Sequence, residues 1–188
     1  MPDTATERLL TVEEFLANYP PPGDRRRWQL IDGRPVPMNP AFRRHRVLAL
    51  FLCEALNRRL TLPCLAEPEA CIRPLRPRKP SAYYLADVAT SCAPVERGID
   101  TPDPVVIAEW LSEDEGEDRK AKLNDYRELP TVQAYLLFEQ HRWRVEVHQR
   151  RTDGTWPDGP DIVEGGDAVI KLTAHGGLSI PLSEIYRI

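Results

Sequence analysis

"VVIAEWLS", residues 105–112, is an apolar, β-favouring run interrupted by a single acid, Glu109. A short apolar run bounded by polar residues reads as a strand covered on both faces. An ionised carboxylate in such a strand is strongly unfavourable unless something pairs with it. A second run of the same kind, "YYLADVAT" at 83–90, carries Asp87, and a turn-rich loop from Ser91 to Pro104 separates the two. Two neighbouring strands that end near loops can bring Asp87 and Glu109 to one edge of a sheet. Close carboxylates repel, and either a divalent cation or a shared proton stabilises them. Hard oxygen ligands point to Mg2+, with Mn2+ as the alternative. Such an ion lowers the pKa of a bound water and stabilises charge developing on a phosphodiester. The plainer reading of the same residues is a strand-end turn at Asp87 and a Glu109 paired with a nearby arginine.

Outward from this pair, the chain alternates helical and strand-like segments. "TVEEFLANY" (11–19) sets Thr11 three residues before Glu14, a capping-box spacing, and "PPPG" ends the helix because proline removes donors. "WQLIDGRPVPM" (28–38) is two short strands about Asp32-Gly33, a strong hairpin signal. "FRRHRVLALFLCEALNRRL" (42–60) spaces Val47, Leu48, Phe51, Leu52, Ala55 and Leu56 as one apolar helical stripe, with a basic start. "EACIRPL" partly alternates and suits an edge strand, where proline is tolerated. After "VVIAEWLS", "EGEDRKAKLNDYREL" is predicted to be a helix with Ala121, Leu123, Tyr126 and Leu129 facing inward. Lys120 and Lys122 are both available there, and Lys122 shares a face with Tyr126. "VQAYLLFE" and "WRVEVHQR" make a strand pair, and Gly-Gly turns join short strands in the tail. The expected class is α/β (α+β): a mixed central sheet flanked by helices, with an N-terminal helix and proline linker at 1–22 and a β-rich section at 142–188.

Composition narrows the function classes. The chain has 188 residues, 41% of them hydrophobic and 29% charged, which suits a soluble globular protein. No apolar run approaches the length of a membrane span, and "MPDTATERLL" lacks the pattern of a secretory leader, so no membrane partner and a cytoplasmic location are expected. The formal charge of -4 argues against nonspecific coating of nucleic acid but leaves room for a local basic groove. Arg73, Arg76, Arg78 and Lys79, with Arg43, Arg44 and Arg46, could line such a groove, or form a solvated charged loop. Cys53, Cys64, Cys71 and Cys92 match no zinc-ribbon spacing and are expected to be buried thiols rather than a disulfide framework. The tryptophans at 28, 110, 143 and 156 are expected in the core.

Taken in order, "WQLIDG" (28–33), "RRHRVLALFLCEAL" with His45, "LADVAT" with Asp87, "VVIAEWLSEDE" with Glu109 and Ser112, "DRKAK" with Asp118 and Lys122, Tyr126, "QAYLLFE" and "WRVEVHQR" resemble the Uma-two family of restriction-endonuclease-like proteins. The resemblance runs over roughly residues 11–188. It implies a single restriction-endonuclease-like domain with a PD-(D/E)XK nuclease core. Asp87 and Glu109 would then be metal ligands, with a carbonyl oxygen of Trp110 as a further one. Lys122 would be the catalytic lysine, displaced onto the helix because Leu111 stands two residues after Glu109. Gln29, His45, Ser112 and Tyr126 would be accessory. Three departures from the pattern stand out: Gln29 replaces a glutamate, Ala86 replaces a proline, and "SEDE" replaces "SPST", adding Glu113, Asp114 and Glu115. The implied function is metal-dependent hydrolysis of DNA phosphodiester bonds. The alternatives are a catalytically inactive nuclease fold that binds nucleic acid or a protein partner, and a dimeric structural module; a homodimer is expected on general grounds.

Overall fold

The computed structural model of the chain describes residues 8–77, 79–111 and 116–188, the helical stretch 116–121 by its backbone. Arg78, Ser112, Glu113, Asp114, Glu115 and the side chains of Asp118, Lys120 and Ala121 lie outside the described residues.

Helix α1 (Val12–Asn18) starts on the expected capping box: Glu14 N–H donates to Thr11 Oγ1 at 3.1 Å, and Thr11 N–H donates to Glu14 Oε2 at 3.0 Å. Strands β1 (Trp28–Ile31) and β2 (Arg34–Pro37) form the expected hairpin. Its turn has consecutive positive φ values, 47° at Asp32 and 74° at Gly33, the backbone that Asp-Gly is suited to. A Cβ at Gly33 would sit 2.7 Å from Leu9 Cβ. Gly33→Ala is therefore expected to destabilise the chain by more than about 1 kcal/mol, read from the midpoint of urea unfolding.

Helix α2 (Arg43–Asn57) is followed by β3 (Leu65–Ile72), β4 (Tyr84–Ser91), β5 (Pro104–Trp110), helix α3 (Gly116–Glu128), β6 (Ala134–Phe138), β7 (Arg144–Gln149) and β8 (Asp161–Glu164). Among the described residues, β3 to β8 form one six-stranded sheet in sequence order. All neighbours are antiparallel except β5 and β6, which are parallel. A parallel pair needs a long crossover, and α3 supplies it. β3 is an edge of the sheet, as "EACIRPL" suggests, but it runs from Leu65 to Ile72, taking in Pro68 and leaving out Pro74. The β1–β2 hairpin docks through Leu30 and Tyr83, which exchange backbone hydrogen bonds of 2.8 and 2.9 Å.

Alternation along β5 assigns the two faces. Val106, Ala108 and Trp110 join the core under α2, with Leu48, Leu52, Leu56, Leu136, Phe138 and Val147. Ile107 joins the opposite core with Tyr84, Tyr126, Leu129, Tyr135 and Leu137, under α3. The tail divides: β7 and β8 extend the central sheet, whereas β9 (Val169–Leu172) and β10 (Leu178–Pro181) pair with each other. A 3-10 turn at Ala174–Gly176 joins them, and α4 (Leu182–Ile185) follows. Ile170, Ile180, Leu182 and Ile185 pack into the α2 core. No helix of the described residues is long and apolar enough to cross a membrane.

The cysteines depart from the expectation. Cys53 is a buried thiol, its pKa pushed up to about 12 by burial, and Cys71 is half-buried, but Cys64 and Cys92 are joined in a disulfide. The cause is register. Leu65 pairs with Ser91 at the end of the β3–β4 ladder, so the next residue on each strand, Cys64 and Cys92, meet across it. A sequence separation of 28 carries no trace of that.

Candidate active site

Asp87 and Glu109 stand on adjacent strands. The β4–β5 ladder pairs Val88 with Ala108, and its antiparallel continuation leads to Asp87 and Glu109. There the Asp87 carboxylate takes the place of a backbone acceptor: Trp110 N–H donates to its Oδ2 at 2.8 Å. Its other oxygen, Oδ1, lies 2.8 Å from His45 Nε2 in the first turn of α2. The His45 ring tilts against Trp110 at 5.7 Å between centroids, and Trp110 stacks on Phe138 at 4.7 Å. Three elements thus orient Asp87: β4 carries it, β5 donates to it, and α2 covers it.

Glu109 is served from the opposite layer. Lys122 Nζ donates to Oε2 at 3.1 Å, and Tyr126 OH donates to Oε1 at 2.8 Å, both from α3. The acid and the ammonium are each only 8% exposed. The spacing of Lys122 and Tyr126, four residues on one helix, is what lets both reach a single carboxylate. Burial pushes the Glu109 pKa up, and the Asp87 charge adds to that; Lys122 and Tyr126 oppose it. Burial raises the Tyr126 phenol further still, so it stays a donor.

A carboxyl whose pKa rises on folding contributes most to stability below its ordinary value, and that contribution falls as pH rises through the raised one. Asp87→Asn removes the like charge, so the Glu109 pKa is expected to move down, followed by carboxyl 13C NMR titration. An unchanged value would mean that the two acids do not sense each other.

A wider polar network backs α3, and the sequence reading missed it. Tyr84 OH donates to Asp125 Oδ2 at 2.6 Å, and Arg76 Nε lies 3.3 Å from the same oxygen. The Lys122 ammonium stands over the Tyr84 ring at 5.7 Å, and Tyr84 meets Tyr126 edge-on at 5.7 Å. Asp125 is buried, although a charged residue in a polar helix reads as solvated. The expected basic groove is correspondingly divided. Arg76 also donates to Asp32 at 2.5 Å, Arg73 to Glu13 at 2.9 Å, and Lys79 contacts Asp125 and Glu128 at 3.5 and 3.4 Å. Arg44 donates to Gln140 O at 2.7 Å. Arg43 and Arg46 are exposed in the first turn of α2, on either side of Arg44 and His45.

Gln29 sits on β1, beside the start of β4. The Leu30–Tyr83 bridge sets it across from Tyr84, and alternation gives it the face of Ile31, which packs against the α3 core. Its Oε1 is buried and has no hydrogen-bond partner among the described residues. Asp87, Glu109 and the unpartnered Gln29 amide oxygen are hard oxygens of the kind Mg2+ takes, and the Asp87 charge is felt at Glu109, although the two carboxylates are held from different layers. Among the described residues the acids do not close up with a third His, Cys, Asp or Glu at ion-sharing distance. An ion here would draw its other ligands from water, phosphate and uncharged oxygens, which is how Mg2+ is usually held.

Residues 12–183 match the family model Uma2, described as "Putative restriction endonuclease". The solved structure of "a putative nuclease belonging to DUF820" from Anabaena variabilis superposes with a TM-score of 0.68 over 95% of this chain and 98% of that one, at 16% identity, a likeness of fold. An uncharacterised protein, sll1609, from Synechocystis is 42% identical over 55 residues, which span 29% of this chain and 31% of that protein.

Proposed function

The chain belongs to the Uma2 family, and from that premise we propose that it is a Mg2+-dependent endonuclease that hydrolyses DNA phosphodiester bonds. The observation that carries this reading is the buried Glu109–Lys122 pair, 3.1 Å apart, one strand over from Asp87. A buried acid with its own ammonium, beside a second acid at the end of a parallel-linked strand, is a poor way to gain stability and a good way to arrange charge for hydrolysis.

In this proposal Asp87 and Glu109 would hold the ion, with Gln29 Oε1 and the Trp110 carbonyl as candidate neutral ligands, and it would supply a water of lowered pKa and offset phosphoryl charge. Lys122 orients the attacking water and offsets the charge that builds on the phosphorus centre. Tyr126 keeps Glu109 in place by donating to Oε1 at 2.8 Å, and His45 does the same for Asp87 Oδ1 at 2.8 Å. Arg43 and Arg46 contact the phosphate backbone and set the register of the strand.

The test uses the full chain and supercoiled plasmid at low salt. Nicking in Mg2+ or Mn2+ that a chelator abolishes is the expected result. A second reading has its own support: each of the four carboxylate oxygens already has a close partner in Lys122, Tyr126, Trp110 N–H or His45. That arrangement suits a nuclease fold that binds nucleic acid without cutting it. Plasmid that stays intact yet is retained by the protein in chelator would select it.

A further inference from the structure

We propose that Cys64, Cys92 and His175, once the disulfide between the two cysteines is reduced, form a binding site for a soft divalent cation, Zn2+ in particular. The site is separate from the paired acids and independent of their role.

Three distant pieces of chain converge here. Cys64 precedes β3, Cys92 follows β4, and His175 lies in the 3-10 turn between β9 and β10. One ligand atom from each lies within 4.8 Å of the others, and His175 Nδ1 is 3.7 Å from Cys92 Sγ. Tetrahedral Zn2+ with bonds of about 2.3 Å to sulfur and 2.0–2.1 Å to nitrogen needs ligand atoms roughly 3.5–4 Å apart, so the nitrogen stands at the right range. The sulfurs reach that range when their bond is broken.

The histidine is what a disulfide alone leaves unexplained. Its backbone is left-handed, with φ of 53°, a conformation unfavourable for a side chain with a Cβ. Its ring is pinned from behind: Nε2 lies 2.8 Å from Thr90 Oγ1, a buried hydroxyl that also accepts the Val106 N–H at 3.0 Å. Nδ1 is thereby turned to the sulfurs. Ligating histidines are commonly held this way, by a partner on the second ring nitrogen. The three residues border a cleft of about 580 Å³ that Arg59, Thr61, Val105 and Gln133 also line. The fourth coordination position faces that cleft and takes a water or an external ligand.

The electron and proton balance closes with an external dithiol. It delivers two electrons and two protons to the Cys64–Cys92 bond, giving two thiols, and is itself oxidised to a disulfide. Zn2+ then displaces both thiol protons to solvent. Oxidation and metal occupancy exclude each other, and the bound ion would tie the β9–β10 pair to the end of the β3–β4 ladder.

Co2+ titration of the full chain tests this. After reduction, the expected result is a thiolate-to-cobalt charge-transfer band with the visible bands of tetrahedral Co2+, both displaced by Zn2+. The oxidised chain should show neither. Cys64→Ser and Cys92→Ser should lose the charge-transfer band or most of it, and His175→Ala should shift the visible bands. Cys53→Ser/Cys71→Ser and Asp87→Ala/Glu109→Ala should keep the full spectrum, with circular dichroism to show that each variant is folded. A reduced wild-type chain without the band, or a band that survives in Cys64→Ser/Cys92→Ser, would overturn the proposal.

Discussion

Asp87→Ala is expected to lower Mg2+-dependent plasmid cleavage by about 100- to 10,000-fold, the range by which positioned groups accelerate such chemistry. Glu109→Ala should fall equally far, and the double variant should be little worse than either alone, because residues that serve one ion act as a unit. Asp87 is the cleaner probe. Its side chain is partly open to solvent, at 24% exposure, so its loss leaves no buried charge behind. Glu109→Ala does leave one, on Lys122, and its activity must be compared at matched fraction folded. Cleavage at the wild-type rate by a folded Asp87→Ala chain would remove the acid pair from the mechanism.

Lys122→Met should destabilise the chain by about 3–5 kcal/mol at neutral pH, the usual consequence of leaving one member of a buried ion pair unpaired. The size follows from burial: both groups are only 8% exposed, so water cannot take over from the lost ammonium. The sign with pH follows from Glu109, whose pKa burial already raises. As pH falls through that value the acid becomes neutral and needs no cation, so the deficit should shrink. Urea unfolding at neutral and acid pH reads both numbers. Lys122→Met/Glu109→Leu should recover most of the loss, since a buried pair replaced whole by apolar groups is often near neutral. A deficit below about 1 kcal/mol at neutral pH, as for surface pairs, would mean that solvent reaches the pair.

Local chemistry made much of this fold readable. Thr11 and Glu14 announced a helix start, Asp32-Gly33 a hairpin and "EACIRPL" an edge strand, because caps, turns and local alternation act over a few residues. Glu109 in "VVIAEWLS" announced a buried charge needing a partner; the sequence offered Asp87 through an ion or an arginine, and the structure supplies Lys122 and Tyr126 of the next helix. The family pattern pointed to His45, which does meet Asp87. Asp125 was not readable, because a polar helix gives no sign of which acid it buries. Nor was the engagement of Arg76 with Asp32 and Asp125, which turns a residue of an apparent basic rim into part of the packing around α3.

By itself the chain's sequence determined the alternation of helices and strands, the two acids on consecutive β-rich runs and the ammonium that follows them, since each depends on side-chain type and short spacing. Only the tertiary structure decided that His45 meets Asp87, that Cys64 meets Cys92, and that His175 stands beside both sulfurs. Those meetings depend on strand register, on the crossover through α3 and on where the β9–β10 pair docks. Register is settled by the packing of both sheet faces at once, between segments far apart in the chain.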